Sequence, residues 1–472
     1  MWTSAPLSRC KLFTSEKHAA VLVFALCVIL RMIPELVAYP HPIGYDVINY
    51  YIPVVENFDE HWSTAAGQFP LYVLFLDSVH LATGMPAQSV VTGIAIAMFG
   101  FFGMSLYFLG RSLLRLDTIQ SIFSAIFVVF QMAVLRTAWD LHRDIFALTA
   151  MMFVLALLAK NRGWKEIAVI LALTALTVAA DRMIGALLLV SLIAYAAISR
   201  QKDTTAVSVF ATAVFLILMI SSYSSPLSSA NVSDNNIEIT ADKTPAFYNP
   251  QNLFILFVVT NGLLVAPAAV GFFRINNWLL KVPLLASLIG SFSWLAFPDI
   301  SQLVADRWVI VAGIFLAIFA SYGILHIVKH LKPRVSAVVA GSVLIGFAVN
   351  GIAYAVMPYD SPFALYGIAR QRIENFGPVT MQFNSIDIHD NDEILSIIEW
   401  INQNTEHNAI IVGEKHWRGF MELHLGAERT YRFSDNPRAL AEAVEKQGKP
   451  AYLITFDSGR HPMFEVEDVA IK

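Results

Sequence analysis

Charged residues suited to chemistry occur in a few short segments of this 472-residue chain. One carboxylate, Asp46, lies in a loop rich in proline and glycine, with aromatic neighbours and no cation beside it. Arginines stand next to or near carboxylates in three other segments, Asp140-Leu-His-Arg143-Asp144, Asp181-Arg182 and Asp306-Arg307, and Arg31-Met-Ile-Pro34 interrupts an apolar segment. Carboxylates and arginines at such spacing can exchange protons and bind anions.

A carboxylate at a membrane interface can act as a general base toward a hydroxyl group. Arginines bind phosphate through charge-assisted, often bidentate hydrogen bonds, and arginines just above apolar segments suit a lipid phosphate. Two nearby carboxylates, such as Asp140 and Asp144, can instead bind a hard divalent cation. The residue types therefore favour phosphate chemistry at a membrane surface and leave a metal site open.

Several of these segments also have a purely structural interpretation. Arg31 can extend its charge toward the outer headgroups, and Arg307 can anchor the start of a helix at the interface. The turn at 181–182 can be solvated, and the carboxylates at 140–144 can simply neutralise the arginine between them. Asp46 is the residue least easily explained in this way.

The composition requires a membrane setting for these residues. Hydrophobic residues make up 56% of the chain and charged residues 14%, with mean hydropathy +0.59, whereas soluble domains contain about 25% charged residues. A net charge of -4 gives no reason to expect a nucleic-acid partner. Two cysteines exclude a disulfide framework. The chain is therefore predicted to be a multi-pass helical membrane protein embedded in the lipid bilayer.

Eleven apolar segments are long enough to cross about 30 Å of hydrocarbon. They lie near 19–38, 89–110, 117–136, 144–160, 164–180, 183–199, 205–222, 251–273, 279–297, 307–327 and 336–357. The apolar run at 69–81 is too short and is expected to lie in the interface or to enter the membrane part-way.

Lysines and arginines in the loops predict the orientation. They concentrate in alternate loops, and the loop at 39–88 contains none. This asymmetry places the N-terminus in the cytoplasm and the loops at 39–88 and 223–250 outside. The second of these loops contains the sequon Asn231-Val-Ser, which agrees with an outer position. With eleven spans, the C-terminus is also expected outside the cell membrane.

The C-terminal part, 358–472, is less apolar and follows the transmembrane part at 1–357. Its patterns predict a small extracytoplasmic α/β domain. The expected helices are 393–404, 418–425 and 437–447, and the expected strands are 409–412, 430–433 and 451–456.

Several motifs resemble those of the GT-C superfamily of integral-membrane glycosyltransferases, especially archaeal and bacterial relatives of the protein mannosyltransferases. The matching segments are Arg-Met-Ile-Pro at 31–34, Pro-Ile-Gly-Tyr-Asp at 42–46, Tyr-Tyr at 50–51, Leu-Arg-Thr-Ala-Trp-Asp-Leu-His-Arg-Asp at 135–144, Asp-Arg-Trp at 306–308 and Glu-Trp-Ile-Asn-Gln-Asn-Thr at 399–405. The resemblance extends over nearly the whole chain, although each motif is short.

The resemblance implies transfer of a sugar from a polyprenyl-phosphate carrier to a protein, lipid or glycan acceptor on the outer face. It implies that Asp46 is the general base. Donor-phosphate ligands would be Arg31, Arg143, Arg182 and Arg307, and supporting residues would be Tyr45, Asp140, Asp144 and Asp181. Any required Mg²⁺ or Mn²⁺ would bind Asp46, Asp140 and Asp144.

Two departures from the family patterns limit this expectation. Protein mannosyltransferases usually carry an acidic pair in the first outer loop, whereas Asp46 lies between Tyr45 and Val47. Oligosaccharyltransferases carry a Trp-Trp-Asp type signature, and the His-Trp-Arg-Gly-Phe at 416–420 does not match it. A transporter or flippase for a lipid-linked or anionic substrate is the main alternative, and a membrane scaffold with a partner-binding outer domain is a third.

Overall fold

The computed structural model describes residues 15–58, 71–159, 163–224, 250–296, 305–356, 391–414, 417–426, 428–434, 436–456 and 464–468. Helices make up the N-terminal part. The first seven are α1 (Glu16–Ala38), α2 (Ile52–Glu56), α3 (Leu71–Thr83), α4 (Ala87–Ser112), α5 (Thr118–Val129), α6 (Met132–Trp139) and α7 (His142–Leu158). The next seven are α8 (Trp164–Ala180), α9 (Arg182–Ser199), α10 (Lys202–Ser224), α11 (Pro250–Arg274), α12 (Trp278–Ser291), α13 (Ala305–Val328) and α14 (Pro333–Val356).

The predicted multi-pass helical fold is confirmed. Every predicted span coincides with a helix or, in one case, with a pair of helices. In the described residues, seven helices are long and apolar enough to cross a membrane alone, and the bent pair α5 and α6 adds an eighth. Helices at the periphery of the helical part expose apolar side chains such as Val338 on α14 and Ile217 on α10, as expected of surfaces that face lipid rather than water.

The span predicted at 117–136 is not one continuous helix. The chain bends by 66° between α5 and α6. Gln131 lies at the break between the two helices. Its side chain accepts a hydrogen bond from the Ala133 N–H and donates one to the Thr260 carbonyl at 2.7 Å. Broken backbone at membrane depth needs such partners, since unpaired peptide groups are costly there. The sequence pattern gave no sign of this bend, because apolar residues continue through it.

The first outer segment forms a short helical layer over the membrane part. A π-helical turn at Val47–Tyr51 runs directly into α2, and α3 follows later in the chain. The run predicted not to span is α3, whose 13 residues would extend about 20 Å and so are too few to cross the bilayer.

Close contact between α11 and α13 organises the centre of the helical part. A Cβ atom on Gly271 would lie 2.0 Å from the Phe319 carbonyl oxygen, and one on Gly323 would lie 1.9 Å from that of Pro267. The backbones of the two helices therefore approach each other where each helix carries a glycine, as small residues permit in membrane helix pairs. This contact holds the C-terminal half of α13 against α11.

The C-terminal part is the predicted α/β domain. Its elements are α15 (Asn391–Asn404), β1 (Ile410–Gly413), α16 (Arg418–His424), β2 (Thr430–Phe433), α17 (Pro437–Glu445), β3 (Ala451–Phe456) and β4 (Phe464–Asp468). The sheet order is β2-β1-β3-β4, with β1 parallel to β2 and β3, and β4 antiparallel to β3. All six predicted elements lie within two residues of these bounds, while β4 was not predicted.

Three predictions fall partly or wholly outside the described residues. These are the boundary between 357 and 358, most of the loop at 223–250, and the sequon in that loop.

The outer domain docks on the first outer segment. Ile48 of the π-helical turn belongs to the hydrophobic core of the domain, together with Trp417 and Phe420. The Gly419 N–H donates to the Asn49 side-chain oxygen at 2.7 Å. A buried apolar contact and a directed hydrogen bond thus fix α16 against the segment that carries Asp46.

The α11–α13 contact leads to a stability prediction. Gly323→Val should reduce the free energy of unfolding by about 1–3 kcal/mol, because the added carbons meet backbone that cannot move away. Thermal unfolding of the purified protein in detergent measures the effect.

Gly346→Val in α14 is the matched control. A Cβ there meets nothing within 4 Å, so the same substitution in a helix should change the free energy by less than about 0.5 kcal/mol. Equal shifts for the two variants would show that the close α11–α13 contact does not matter for stability.

Candidate functional site

Asp46 occupies the start of the π-helical turn, in a loop pressed against the end of α6. Gly44 makes this approach possible: its φ is +108°, and a Cβ would lie 2.4 Å from the Trp139 carbonyl oxygen. Both the backbone conformation and the close contact require glycine. The Asp46 N–H then donates a hydrogen bond to Oδ1 of Asp140.

A buried ion pair holds that acceptor in place. The Arg136 Nη1 lies 2.7 Å from Asp140 Oδ2, and both side chains are almost fully buried. Burial raises the pKa of Asp140 to about 6, although Arg136 opposes the shift. One carboxylate oxygen thus binds the arginine, and the other orients the backbone at Asp46.

Two arginines from different helices face the Asp46 region. Arg143 comes from the first turn of α7 and Arg307 from the first turn of α13. Each interacts electrostatically with Asp46. The guanidinium carbon of Arg143 lies 5.6 Å from the centre of the Tyr50 ring, a cation–π distance. Two helices from different parts of the chain therefore present cations to the Asp46 region.

These side chains line a cavity of about 230 Å³. Its lining residues are Tyr45, Asp46, Asn49, Tyr50, Arg143, Arg307 and Arg418. Burial raises the pKa of the Tyr45 hydroxyl to about 12, with Asp46 and Asp140 adding to the shift. Tyr45 is therefore a neutral hydrogen-bonding group near neutral pH. A carboxylate, a hydroxyl and three guanidinium groups in one cavity can receive a proton and stabilise an anion.

Two predicted supporting carboxylates lie behind the arginines. Asp144 and Asp181 share a side-chain hydrogen bond, and Asp144 interacts electrostatically with Arg307 and Arg143. Asp181 also accepts a hydrogen bond from the Ile184 N–H at 2.8 Å, which caps α9. Neither carboxylate is among the residues that line the cavity, so both act on it through the arginines.

The other two predicted phosphate ligands lie elsewhere. Arg31 is fully buried; its Nε donates to the Ala138 carbonyl at 3.1 Å, and its Nη1 lies 2.7 Å from Glu35 Oε1. It therefore ties α1 to the end of α6 rather than reaching toward headgroups. Arg182 is exposed at the start of α9. Neither residue lines the cavity.

The predicted metal ligands are not arranged as a cation site. Across the described ranges, no three Asp, Glu, His or Cys side chains are grouped to hold a metal ion. Of the three carboxylates predicted for Mg²⁺ or Mn²⁺, Asp140 is engaged by Arg136, and Asp144 is engaged by Asp181. Asp46 alone of the three lines the cavity. The residues present do not fit that metal site.

Three cavity residues, Asn49, Tyr50 and Arg418, were not predicted as site residues, although Tyr50 belongs to the Tyr-Tyr motif. Asn49 follows Asp46 by three residues, so one helical turn brings it to the same face, and that spacing could have identified it. Arg418 comes from the outer domain, hundreds of residues away in sequence. Its neighbours in the chain carry no signal of this contact, which depends on how the domain docks.

Comparisons with known proteins identify the fold. No protein-family model matches the chain, and no curated protein matches it. Solved structures that resemble it include ArnT from Cupriavidus metallidurans in the apo state, and an oligosaccharyltransferase from Archaeoglobus fulgidus in complex with Zn and sulfate. The first aligns over 93% of both chains with TM-score 0.53 and 13% identity. The second covers 93% of this chain and 70% of the other, with TM-score 0.54 and 12% identity.

At 12–13% identity, the likeness concerns the course of the backbone and not the side chains. It nevertheless extends over the helical part and the outer domain together, since 93% of the chain is covered in both comparisons. The chain therefore shares its fold with ArnT and with this oligosaccharyltransferase.

Proposed function

We propose that this protein is a membrane glycosyltransferase that moves a sugar from a polyprenyl-phosphate donor to an acceptor hydroxyl. The observation that carries the proposal is the cavity in which Asp46 lies with Arg143 and Arg307. Both arginines lie at the ends of apolar helices, where a phosphate attached to a membrane lipid would be found. The resemblance to the GT-C superfamily supports the same class of reaction.

Asp46 acts as the general base in this proposal. Its carboxylate takes the proton of the acceptor hydroxyl as the acceptor oxygen bonds to the anomeric carbon. The bond from that carbon to the phosphate oxygen breaks, and the electron pair leaves with the lipid phosphate. The reaction needs no further reactant, because the proton stays on Asp46 and the charge on the phosphate.

The departing phosphate is stabilised by Arg143 and Arg307. Fixed cations at the point where negative charge develops lower the barrier without reorganising during the reaction. The aromatic ring of Tyr50 under Arg143 and the carboxylates behind both arginines hold these cations in place. Arg136 and Asp140 are positioning residues, since they act on the backbone at Asp46.

The proposed orientation places this cavity and the outer domain outside the cell, with the N-terminus in the cytoplasm. The loops expected outside carry the cavity residues, and the outer domain contributes Arg418 to the same cavity. This agreement supports a multi-pass protein whose acceptor arrives from the extracytoplasmic side.

Asp46→Asn should reduce sugar transfer by about 10²–10⁴-fold, the usual contribution of a general base. The variant keeps the backbone N–H that binds Asp140, so the loop should stay folded. The measurement is transfer of radiolabelled sugar from polyprenyl-phosphate mannose or glucose into membranes of the source cell.

Glu56→Gln is the matched control, because Glu56 is an exposed carboxylate of the same outer segment and lies outside the cavity. It should retain wild-type transfer. Undiminished transfer by Asp46→Asn would exclude the assignment of the base. Solute movement across liposomes without any glycosidic product would favour the transporter alternative.

Arg143→Gln and Arg307→Gln should each weaken polyprenyl-phosphate binding by about 10–100-fold, since a hydrogen bond to a charged group contributes about 1.5–3 kcal/mol. Binding to the protein in nanodiscs gives the dissociation constant, and thermal unfolding verifies that each variant is folded.

Arg182→Gln serves as the comparison, because this arginine is exposed and does not line the cavity. It should change the dissociation constant less than threefold, roughly the effect of a surface charge. A loss at Arg182 as large as that at Arg143 would place the phosphate elsewhere.

A further inference from the structure

Arg418 is the one residue that the outer domain contributes to the described lining of the cavity. It begins α16 and faces the same space as Tyr45, Asp46 and Arg307. The other two arginines arise from membrane helices. The cavity therefore combines two cations from the membrane part with one from the outer domain.

Two contacts restrict the guanidinium group of Arg418. Its Nε donates to Oε1 of Glu422, one turn later in α16, at 2.6 Å. Its Cζ lies 5.8 Å from the centre of the Phe433 ring on β2. An arginine held by an ion pair and an aromatic ring loses little further freedom when it binds a ligand.

These contacts leave two donor groups for a ligand. Within the described part of the chain, no protein atom accepts a hydrogen bond from Nη1 or Nη2 of Arg418. The terminal nitrogens of arginine form a planar fork that matches the two oxygens of a phosphate or carboxylate. The chemistry offered to the cavity is therefore that of an oxoanion site.

The carboxylates near the cavity are unevenly shared among the arginines. Arg307 interacts with Asp46 and Asp144, and Arg143 with Asp46 and Asp181. The described residues give Arg418 one ion-pair partner, Glu422, which is partly exposed. The opposing carboxylate of Arg418 thus comes from its own helix, whereas those of the membrane arginines line the cavity or lie behind it.

Domain docking fixes Arg418 relative to Asp46. The adjacent Gly419 donates to Asn49, and a Cβ on Gly419 would lie 2.0 Å from the Ile48 carbonyl oxygen. Both partners lie in the π-helical turn that follows Asp46. The distance between the base and the outer arginine is therefore set by backbone contacts rather than by a flexible side chain alone.

We infer that Arg418 binds a phosphate or carboxylate group on the acceptor and so selects anionic acceptors. The inference rests on the proposed function, in which Arg143 and Arg307 bind the donor phosphate. A donor anchored in lipid approaches the cations of the membrane helices. The cation of the outer domain is left for the molecule that arrives from water.

The test uses the full-length protein in nanodiscs that contain polyprenyl phosphate, so that the membrane arginines are occupied. Glycerol 3-phosphate is the probe and glycerol its uncharged counterpart, and saturation-transfer NMR measures weak binding. Glycerol 3-phosphate should bind the wild-type protein better than glycerol does. Arg418→Gln should raise its dissociation constant by about tenfold, the loss of one charge-assisted contact.

Arg438→Gln is the matched control, because Arg438 is an exposed arginine of the same domain that pairs with Glu467. It should leave the dissociation constant unchanged. Arg418→Lys keeps the charge but loses the fork, and it should lose about threefold. Unchanged affinity in both Arg418 variants, or no binding to the wild-type protein, would overturn the inference.

A second measurement distinguishes whether Arg418 binds the phosphate of the donor lipid or an anionic group of the acceptor. If Arg418→Gln weakens binding of polyprenyl phosphate instead of glycerol 3-phosphate, the arginine belongs to the donor site and the inference is wrong. The proposed function fails by a different result, namely undiminished sugar transfer by Asp46→Asn. The two failures are therefore distinguishable.

Discussion

The buried ion pair between Arg136 and Asp140 is the interaction on which the geometry of the cavity depends. Its carboxylate binds the arginine with one oxygen and the Asp46 backbone with the other. Loss of one partner would leave an uncompensated buried charge, at a cost of about 3–5 kcal/mol. The pair thus joins the end of α6 to the loop that carries the candidate base.

The membrane restricts where such groups can lie. Charges are costly in hydrocarbon, and in this protein charges of the candidate site and its surroundings collect at the N-terminal ends of α7, α9 and α13. The bend between α5 and α6 serves this arrangement, because it turns α6 and its Arg136 away from the direction of α5. Gln131 caps the start of α6 by accepting from the Ala133 N–H, and its side chain also donates to the Thr260 carbonyl of α11.

The outer domain is part of the candidate site and not a separate attachment. Ile48 lies in its core, Asn49 binds the Gly419 N–H, and Arg418 lines the cavity. A membrane scaffold would give no reason for this joint construction. The proposed transferase does, because its lipid-linked donor and its water-borne acceptor would have to meet at one carboxylate.

Sequence alone predicted the helical membrane fold and the order of strands and helices in most of the outer domain, and it named Asp46, Arg143 and Arg307 as candidates. It predicted eleven spans, whereas seven helices and one bent pair among the described residues are long and apolar enough to cross a membrane. These predictions follow from hydropathy, periodicity and residue chemistry, which act over a few neighbouring residues. The bend after α5 could not be predicted from the sequence. Neither could the lack of a cluster of metal ligands among the described residues, nor the positions of Arg31 and Arg182 outside the cavity.

Only the tertiary structure decided which charges share a cavity. Arg31 and Arg143 are the same residue type at the outer ends of apolar helices, yet one is bound by Glu35 and a backbone carbonyl while the other lines the cavity. Arg418 enters through contacts between segments some 370 residues apart in the chain. The reason is physical: long-range packing sets the direction of a side chain, and local sequence patterns contain no information about it.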